Sequence, residues 1–345
     1  MKIAIVTDML RIAYLPGEEG MREDEQKRKT VQDLQEVISK KYECIDLVFA
    51  ENITSKLVKE NVDLVFNLCN GIIGDTKLAQ FPAFLEYEGI PYTGSSILGH
   101  TLAYNKVVAC NLFKSAGIAT PKFIAVYDIN DLDNHEIQFP VLVKPCDEGS
   151  SRGIHEDSLI FDMESLKNKV AEELILYNPP IMVCEYIEGR EFSIGILGNG
   201  KQIEALPILE VDFENLPSEM AGFYSFEVKS YYKDKTVYKC PAPLEDEVRI
   251  KIEGTAKKAF NTLMLRDYAR VDIRLKDNVP YVLEVNSLPG LQKGRSAITR
   301  MAAACELGYE GLVLRIIEIA VKRYEESIRR VAAAESFKVA DSRAY

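Results

Sequence analysis

The sequence predicts an α/β protein with a parallel α/β lobe at the N-terminus and α+β lobes after it. The first hundred residues alternate short apolar strands with helical segments, which is typical of a parallel sheet covered by helices. A hairpin of two apolar strands beyond residue 270 indicates an antiparallel part. The 345 residues, 47% of them hydrophobic, suffice for two or three packed lobes but exceed what one compact core holds.

The first lobe is predicted from four apolar stretches that alternate with charged helical sequence. The predicted elements are a strand at 3–7, a helix at Glu18–Lys41, strands at Cys44–Phe49 and Val62–Phe66, and a last strand and turn at Gly89–Gly94. The turn after the first strand, Thr7–Arg11, has no glycine, whereas a dinucleotide-binding fold requires a glycine-rich turn there. NAD is therefore not expected as a cofactor.

The middle of the chain is predicted to hold a phosphate-binding loop. The elements predicted around it are a helix at Gly99–Gly117 and strands at Ala119–Val126 and Phe139–Pro145. The second strand carries Lys144 and leads into the loop Cys146–Gly153, which is rich in glycine and serine. Backbone N–H groups of such a loop can surround phosphate oxygens, and the lysine adds a positive charge. The alternative is a plain connection.

Further elements are predicted towards the C-terminus. They are strands at Ile181–Ile187, Glu191–Leu197 and Phe223–Ser230, a helix at Glu245–Leu263, a helix through Ala302–Glu306 and a last helix at Gly311–Arg330. In the strand predicted over Phe223–Ser230, Glu227 and Lys229 share one face because side chains alternate along a strand. The residues after Arg330 are expected to form a fraying tail.

The most informative stretch is Arg270–Gly290, which predicts a β-hairpin with an Asp277–Asn278 turn. Alternation along the two strands places five polar side chains on a shared face. They are Arg270, Asp272, Arg274, Glu284 and Asn286. Two carboxylates and an amide supply oxygen ligands that suit Mg²⁺. A solvated strand face with cross-strand ion pairs is the alternative.

The composition disfavours several classes of protein. A net charge of −11 without a basic block argues against nucleic acid or an anionic membrane as the partner. The sequence shows no signal-peptide pattern and no run of about 18 uncharged apolar residues, so we predict a cytoplasmic protein. The seven cysteines stand singly without a Cys-x-x-Cys pair, and with three histidines a zinc site is not expected.

These segments, in this order, resemble the ATP-grasp enzymes and, among them, the D-alanine-D-alanine ligase family. The resemblance extends roughly from Val62 to Arg323. The matching motifs are Pro91–Ser95, Asn105–Lys106, Val143–Gly153, Glu185 with Glu191–Ser193, Phe223–Tyr224 with Glu227 and Lys229, Cys240–Leu244, Arg270–Asp272 and Leu283–Gly290. The resemblance implies an ATP-grasp fold behind a Rossmann-like N-terminal lobe.

The resemblance also implies a ligase that uses ATP and two Mg²⁺ ions, for which Mn²⁺ can substitute. The ATP-binding residues it implies are Lys106, Lys144, Glu148, Ser151 and Lys229 at the phosphates, Glu185 and Ile187 at the adenine, and Glu191 at the ribose. The implied metal ligands are Asp272, Glu284 and Asn286, and the implied catalytic residues are Arg270, Ser150 and Gly290. From the residues alone, Glu185 and Glu191 are equally well interpreted as surface charge.

The first substrate-binding loop of that family is missing here. The family has a glycine-rich loop followed by an acidic residue that binds the ammonium group of the first substrate, whereas this chain has Thr7–Arg11 and a loop reaching Gly20. The residues that we expect as replacements for that carboxylate are Asp8, Glu18, Glu19 or Glu23. Each of them is alternatively a solvated acidic side chain.

The other substrate-binding segments also depart from the family. Ser230 stands where the family has a tyrosine over the substrate site, and Asn70 stands where it has a histidine. The segment after Gly290 is about two residues longer than in the family and carries Lys293, Arg295 and Ser296. We expect these to bind the carboxylate of the amine substrate, with an exposed charged loop as the alternative.

Intact nucleotide and metal motifs beside altered substrate segments predict a ligase that joins amino acids or related amines through an acyl phosphate. The alternatives are an authentic D-alanine-D-alanine or D-alanine-D-lactate ligase of peptidoglycan synthesis and a non-catalytic ATP-binding sensor. The expected domains are 1–100, 101–183 and 184–330, with a tail at 331–345. The resemblance implies small amino acid or amine substrates and a homodimer.

Overall fold

The computed structural model describes the backbone of a large part of the chain. The described residues are 1–13, 17–71, 73–74, 76–149, 152–217, 222–223, 225–230, 232 and 235–341, without the side chains of 19, 134, 229, 230 and 331–341. This part contains three β-sheets, one parallel and two antiparallel. The α/β class predicted from the sequence is confirmed.

The first lobe is a parallel α/β layer. Its elements are β1 (Lys2–Asp8), α1 (Glu18–Ile38), β2 (Glu43–Phe49), α2 (Ile53–Lys59), β3 (Leu64–Asn67) and α3 (Lys77–Tyr87). The strands lie parallel in the order β2-β1-β3. The apolar residues of β1 are fully buried because helices pack on both faces of the sheet. The strand expected over Gly89–Gly94 is instead a single bridge between Val65 and Tyr92.

The second lobe is a four-stranded antiparallel sheet with helices. Its elements are α4 (Ile97–Tyr104), α5 (Lys106–Ser115), β4 (Phe123–Val126), β5 (Val141–Pro145), β6 (Leu159–Ile160), α6 (Met163–Leu176) and β7 (Ile181–Glu185), with strand order β4-β7-β5-β6. The helix expected over Gly99–Gly117 is broken at Asn105, which has an extended backbone. The Asn105 side chain accepts a hydrogen bond from the Val108 N–H, so it caps the second helix and Lys106 begins it.

The third lobe is built on the largest sheet. Its elements are β8 (Arg190–Asn199), β9 (Gln202–Ala205), β10 (Leu209–Asp212), α7 (Phe226–Ser230), β11 (Val237–Lys239), α8 (Asp246–Thr262), β12 (Asp267–Lys276), β13 (Val279–Asn286), α9 (Ala297–Ala303) and α10 (Gly308–Asp341). The strand order is β11-β10-β8-β12-β13, with β9 paired to β8. None of the described helices has an apolar stretch long enough to cross a membrane.

Two predictions for the C-terminal half were wrong. The strand expected over Phe223–Ser230 contains the helix α7, because the Ser225 hydroxyl accepts a hydrogen bond from the Val228 N–H and so begins a helical turn. Glu227 and Lys229 therefore do not share a strand face. The last helix does not end at Arg330 in a tail but continues to Asp341, through an alanine-rich sequence that favours helix.

The hairpin of β12 and β13 agrees with its prediction. Asp277 and Asn278 have φ values of 49° and 58°, as a two-residue type I′ turn requires. The register pairs Arg270 with Asn286 and Asp272 with Glu284, before an irregularity between Asp272 and Ile273. The polar side chains are thereby brought to one end of the hairpin.

A buried ion pair joins the first lobe to the third. Arg323, on α10, donates from Nε and Nη2 to the Asp267 carboxylate at 2.9 and 2.8 Å, and also to the Tyr92 carbonyl at 2.8 Å. Asp267 is fully buried and accepts a further hydrogen bond from the Gly94 N–H at 2.9 Å. The pair therefore fixes the end of the first lobe against the start of β12.

We expect Arg323→Ala to lower the free energy of unfolding by about 3–5 kcal/mol, because Asp267 would remain as an unpaired buried charge. Urea denaturation followed by circular dichroism measures this change. Arg329→Ala is the control, since Arg329 pairs with Glu325 at an exposed position and its loss is expected to leave the urea midpoint unchanged. An Arg323→Ala protein as stable as the control would contradict this role of the pair.

Candidate active site

An open cleft of about 1640 Å³ lies where the three lobes meet. Most of the site residues predicted from the sequence line it. They are Glu18, Lys106, Lys144, Glu148, Glu185, Ile187, Glu191, Arg270, Asp272, Glu284, Asn286, Gly290, Arg295 and Ser296. Ser150 and Ser151 lie outside the described residues, as do the side chains of Lys229 and Ser230.

Asp272 is the most heavily hydrogen-bonded carboxylate in the cleft. Arg270 donates to its two oxygens at 2.8 and 2.7 Å. Ser193, on the neighbouring strand β8, donates its hydroxyl at 2.6 Å. The Asn286 amide donates to Asp272 at 2.9 Å and to Glu284 at 3.2 Å. Of the five side chains that alternation predicts on one face, all but Arg274 are therefore in contact with one another.

This group fits a divalent cation by the chemistry of its donors. Two carboxylates and an amide oxygen suit Mg²⁺, which takes its remaining ligands from water and phosphate. Partial burial opposes ionisation of Glu284, but Lys106 and Lys144 hold the pKa of its carboxyl below the ordinary value. Among the described residues, no group of three or more His, Cys, Asp or Glu side chains could hold a metal ion. An ion here would therefore depend on Asn286 and on ligands from outside the chain.

Two buried lysines lie next to these carboxylates. Lys106 begins α5 and Lys144 lies in β5, and their exposed fractions are 6% and 5%. The Lys106 ammonium donates to the Glu148 carbonyl and lies 3.9 Å from a Glu284 oxygen. Burial lowers the pKa of Lys106, and the charge of Glu284 opposes this. The two ammonium groups make this part of the cleft suitable for phosphate oxygens.

The loop after β5 is attached to two other parts of the molecule. The Glu148 carboxylate pairs with Lys77, at the start of α3, at 3.0 Å and with Arg152 at 3.3 Å. Beyond the loop, the His155 Nδ1 lies 2.7 Å from a Glu227 oxygen of α7. Glu148 therefore uses its carboxylate for cations of the protein and its carbonyl for Lys106.

The connection from β7 to β8 forms another wall of the cleft. Glu185 ends β7, and the side chain of Ile187 is buried. The Glu191 carboxylate, 12% exposed, accepts two hydrogen bonds from Arg274 at 2.9 and 3.1 Å. Burial raises the pKa of Glu191, and the Arg274 guanidinium opposes this rise.

Three of the candidate carboxylates near the N-terminus, Asp8, Glu18 and Glu23, already have partners. Asp8 accepts hydrogen bonds from the N–H groups of Asn70 and Gly71 at 2.7 and 3.0 Å, and Lys27 lies 3.7 Å away. Glu23 pairs with Arg11 at 3.2 Å, and Glu18 is 80% exposed beside Arg22. The side chain of Glu19 is not among those that the structure describes.

The segment before α9 and α9 itself each present a cation to the cleft. Arg295 is exposed and lines the cleft beside Ser296, whose hydroxyl accepts a hydrogen bond from the Gln292 N–H at 3.1 Å. Arg300 also lines the cleft, with its guanidinium 4.6 Å from the centre of the Tyr238 ring. Lys293, in contrast, lies over the ring of Tyr309.

Comparison with known proteins identifies the family. The sequence model described as "D-ala D-ala ligase C-terminus" matches residues 112–318. The chain is 31% identical over 280 residues to the D-alanine-D-alanine ligase of a Janthinobacterium strain, which covers 79% of this chain and 83% of that protein. The chain belongs to the D-alanine-D-alanine ligase family. It is therefore an ATP-grasp ligase, as its motifs indicate.

Other relatives of this ligase are similarly distant. An uncharacterised protein of Sinorhizobium fredii is 35% identical over 262 residues, 76% of this chain and 75% of that protein. The structure of the D-alanine-D-alanine ligase from Bacillus anthracis, solved as a complex with ATP, has a TM-score of 0.72 at 21% identity, covering 95% of this chain and 99% of that one. This likeness confirms the ATP-grasp fold.

Several cleft residues of this ligase were missed by the sequence prediction. Ser193 carried a usable signal, because it lies two residues after Glu191 on the same strand face. Lys77 and Arg300 carried none, since their partners are distant in sequence or lie across the fold. Arg274 was placed on the correct strand face, but its contact with Glu191 was not predicted.

Proposed function

We propose that the chain is an ATP-dependent carboxylate-amine ligase that joins two amino acids, or an amino acid and a related amine. The observation that supports this best is the meeting of buried lysines with the Asp272, Glu284 and Asn286 group in one cleft. Cations for phosphate and ligands for a divalent ion are the two components that phosphoryl transfer requires.

The nucleotide would lie along the cleft from the β7–β8 connection to the lysines. The residues assigned to ATP are Glu185 and Ile187 at the base, Glu191 at the ribose, and Lys106, Lys144, Lys229 and the 148–153 loop with Ser150 and Ser151 at the phosphates. The Bacillus anthracis relative was solved with ATP, which supports nucleotide binding by the shared fold. The carbonyl of Glu148, rather than its carboxylate, orients Lys106.

Mg²⁺, with Mn²⁺ as a substitute, would neutralise charge on the phosphates as the γ-phosphoryl group moves. Asp272, Glu284 and Asn286 would hold the two ions. Glu284 suits this role because neighbouring lysines favour its ionised form. Ser193 and Arg270 orient the Asp272 carboxylate through hydrogen bonds.

The reaction would proceed in two steps. A substrate carboxylate oxygen attacks the γ-phosphorus of ATP, which gives an acyl phosphate and ADP. The amine of the second substrate, as the free base, then attacks the acyl carbon; the tetrahedral intermediate expels phosphate, and the nitrogen releases one proton to the departing phosphate. Arg270 and the Gly290 N–H would stabilise the oxyanion of that intermediate. The loop that carries Glu148 would keep water from the acyl phosphate.

The substrate pair is proposed to differ from two D-alanines. Asp8 and Glu23 are already hydrogen-bonded or paired within the protein. The first substrate would therefore meet charges that differ from those of the family's first substrate-binding loop. At the other end, Arg295, Arg300 and Ser296 would bind the carboxylate of the amine substrate. D-alanine-D-alanine synthesis is the second candidate, because relatives of at least 30% identity carry that name. We further propose a cytoplasmic homodimer.

The first experiment is an assay of ADP release with ATP and Mg²⁺ against D- and L-amino acids, alone and in pairs, with mass detection of the products. We expect turnover with a pair other than D-alanine alone. A D-alanine dipeptide as the main product would favour the second candidate. Binding of ATP without turnover on any pair would contradict the ligase proposal.

We expect Glu284→Gln to lower turnover by a factor on the order of 100 or more, because a charged metal ligand is lost. Activity should also require a higher Mg²⁺ concentration, which a Mg²⁺ titration of the initial rate measures. Glu210→Gln is the matched control, since Glu210 pairs with Arg190 on the same sheet but does not line the cleft. Equal Mg²⁺ dependence in both variants would refute the metal assignment.

We expect Arg270→Ala to lower kcat by a factor on the order of 100 or more, as for a lost oxyanion donor, with a smaller effect on the KM for ATP. Steady-state kinetics with the identified substrate pair separate the two parameters. Arg270→Lys keeps a positive charge and should recover part of the rate. An unchanged kcat in Arg270→Ala would show that the oxyanion is stabilised by other groups.

A further inference from the structure

Arg274 is a buried cation that the proposed reaction does not use. It lies on β12 two residues beyond Asp272, is 2% exposed and contributes to the wall of the cleft. A guanidinium removed from water is costly unless hydrogen bonds replace its hydration. The positions of its partners therefore indicate what it does.

Four hydrogen bonds satisfy this guanidinium. Nε and Nη2 donate to Oε2 of Glu191 at 3.1 and 2.9 Å, and Nη1 donates to the Ile187 carbonyl at 2.8 Å. Nη2 also donates to the Gly222 carbonyl at 2.5 Å. The guanidinium carbon lies 4.8 Å from the centre of the Tyr186 ring. One side chain thus links β12 to the β7–β8 connection, to β8 and to residues 222–223.

The residues 222–223 are held at the same place by a second set of contacts. The Tyr186 hydroxyl donates to the Gly222 carbonyl at 3.3 Å, and the rings of Tyr186 and Phe223 meet edge to face with centroids 6.3 Å apart. Phe223 is 5% exposed and lines the cleft. Arg274 therefore helps to hold this segment over the end of the cleft assigned to the base.

In the part of the chain that the structure describes, the hydrogen bonds of Glu191 all reach one of its two oxygens. Both hydrogen bonds from Arg274 reach Oε2, and among the described residues nothing donates to Oε1. A carboxylate held by one oxygen keeps a fixed direction for the other, which remains able to accept from a hydroxyl group. Without the guanidinium, the Glu191 side chain would lose both the orientation and the charge that favours its ionised form.

We propose that Arg274 is a positioning residue for the nucleotide, which sets Glu191 to accept a hydrogen bond from a ribose hydroxyl and holds residues 222–223 over the base. This inference rests on the proposed function, because it requires ATP in the cleft. It assigns discrimination between ribose and deoxyribose to the Arg274–Glu191 pair, and not to Glu191 alone.

The test measures binding of ATP, 2′-deoxy-ATP and 3′-deoxy-ATP by isothermal titration calorimetry with Mg²⁺ and without the amino acid substrates. The wild type should prefer ATP to at least one deoxy analogue by about tenfold, the effect of one hydrogen bond to a charged group. The ratio of the affinity for ATP to the affinity for that deoxy analogue expresses this preference. Arg274→Met, which keeps length and packing but not the charge, should weaken ATP binding by about tenfold or more and bring this ratio close to one.

Arg266→Met is the matched control. Arg266 also lies over a tyrosine ring, with its guanidinium carbon 5.0 Å from the centre of the Tyr92 ring, and it donates to the Gly94 carbonyl and to Glu86. Arg266 is not part of the cleft wall. This variant should keep both the affinity for ATP and the wild-type ratio.

Retention of the wild-type ratio in Arg274→Met, even with weaker binding of all three nucleotides, would overturn the inference, as would a wild type without any preference. A wild type that binds no ATP would overturn the proposed function and this inference with it. Should Arg274→Met fail to fold, Arg274→Lys keeps the buried charge but cannot reach Glu191, Ile187 and Gly222 together. The ratio should fall in that variant too, and an unchanged ratio there would overturn the inference.

Discussion

The register of β12 against β13 determines where the charged groups of the cleft lie. Side chains alternate along a strand, so a slip of one residue would move Asp272 and Glu284 to the opposite face. The type I′ turn at Asp277 and Asn278, together with the irregularity between Asp272 and Ile273, sets this register at one end of the hairpin. The Asp267–Arg323 pair anchors the other end against the first lobe and α10. The geometry of the cleft thus depends on a strand that is fixed at both ends.

The cleft also depends on a balance of charge that the whole chain does not share. The chain carries a net charge of −11, yet Lys106 and Lys144 are buried side by side in the cleft wall. Glu284 supplies nearby negative charge and in turn is kept ionised by these lysines. Bound phosphates would add negative charge beside the two lysines, whose ammonium groups are costly to bury without such partners.

The hairpin of β12 and β13 and the parallel first lobe could be predicted from the sequence, because residues close together in the chain determine them. The hairpin and its polar face followed from alternation and from the residues of its turn, and the parallel first lobe followed from its buried strands. The helix α7 was missed because apolar alternation from Phe223 to Val228 resembles a strand, whereas the Ser225 hydroxyl begins a helix. The pairs Lys77–Glu148 and Arg274–Glu191 join residues about 70 or more positions apart, so no local pattern could reveal them.

The ion pair between Lys77 and Glu148 attaches the loop after β5 to two lobes at once. Lys77 begins a helix of the first lobe, and Glu148 belongs to the loop of the second. Through this pair, the position of the loop after β5 is tied to α3, in the lobe that also carries Asp8 at the cleft. Were ligand binding at the loop coupled to the placement of that lobe, thermodynamic linkage would make the coupling equal in both directions. One partly buried ion pair thereby connects two lobes whose ligands need not touch each other.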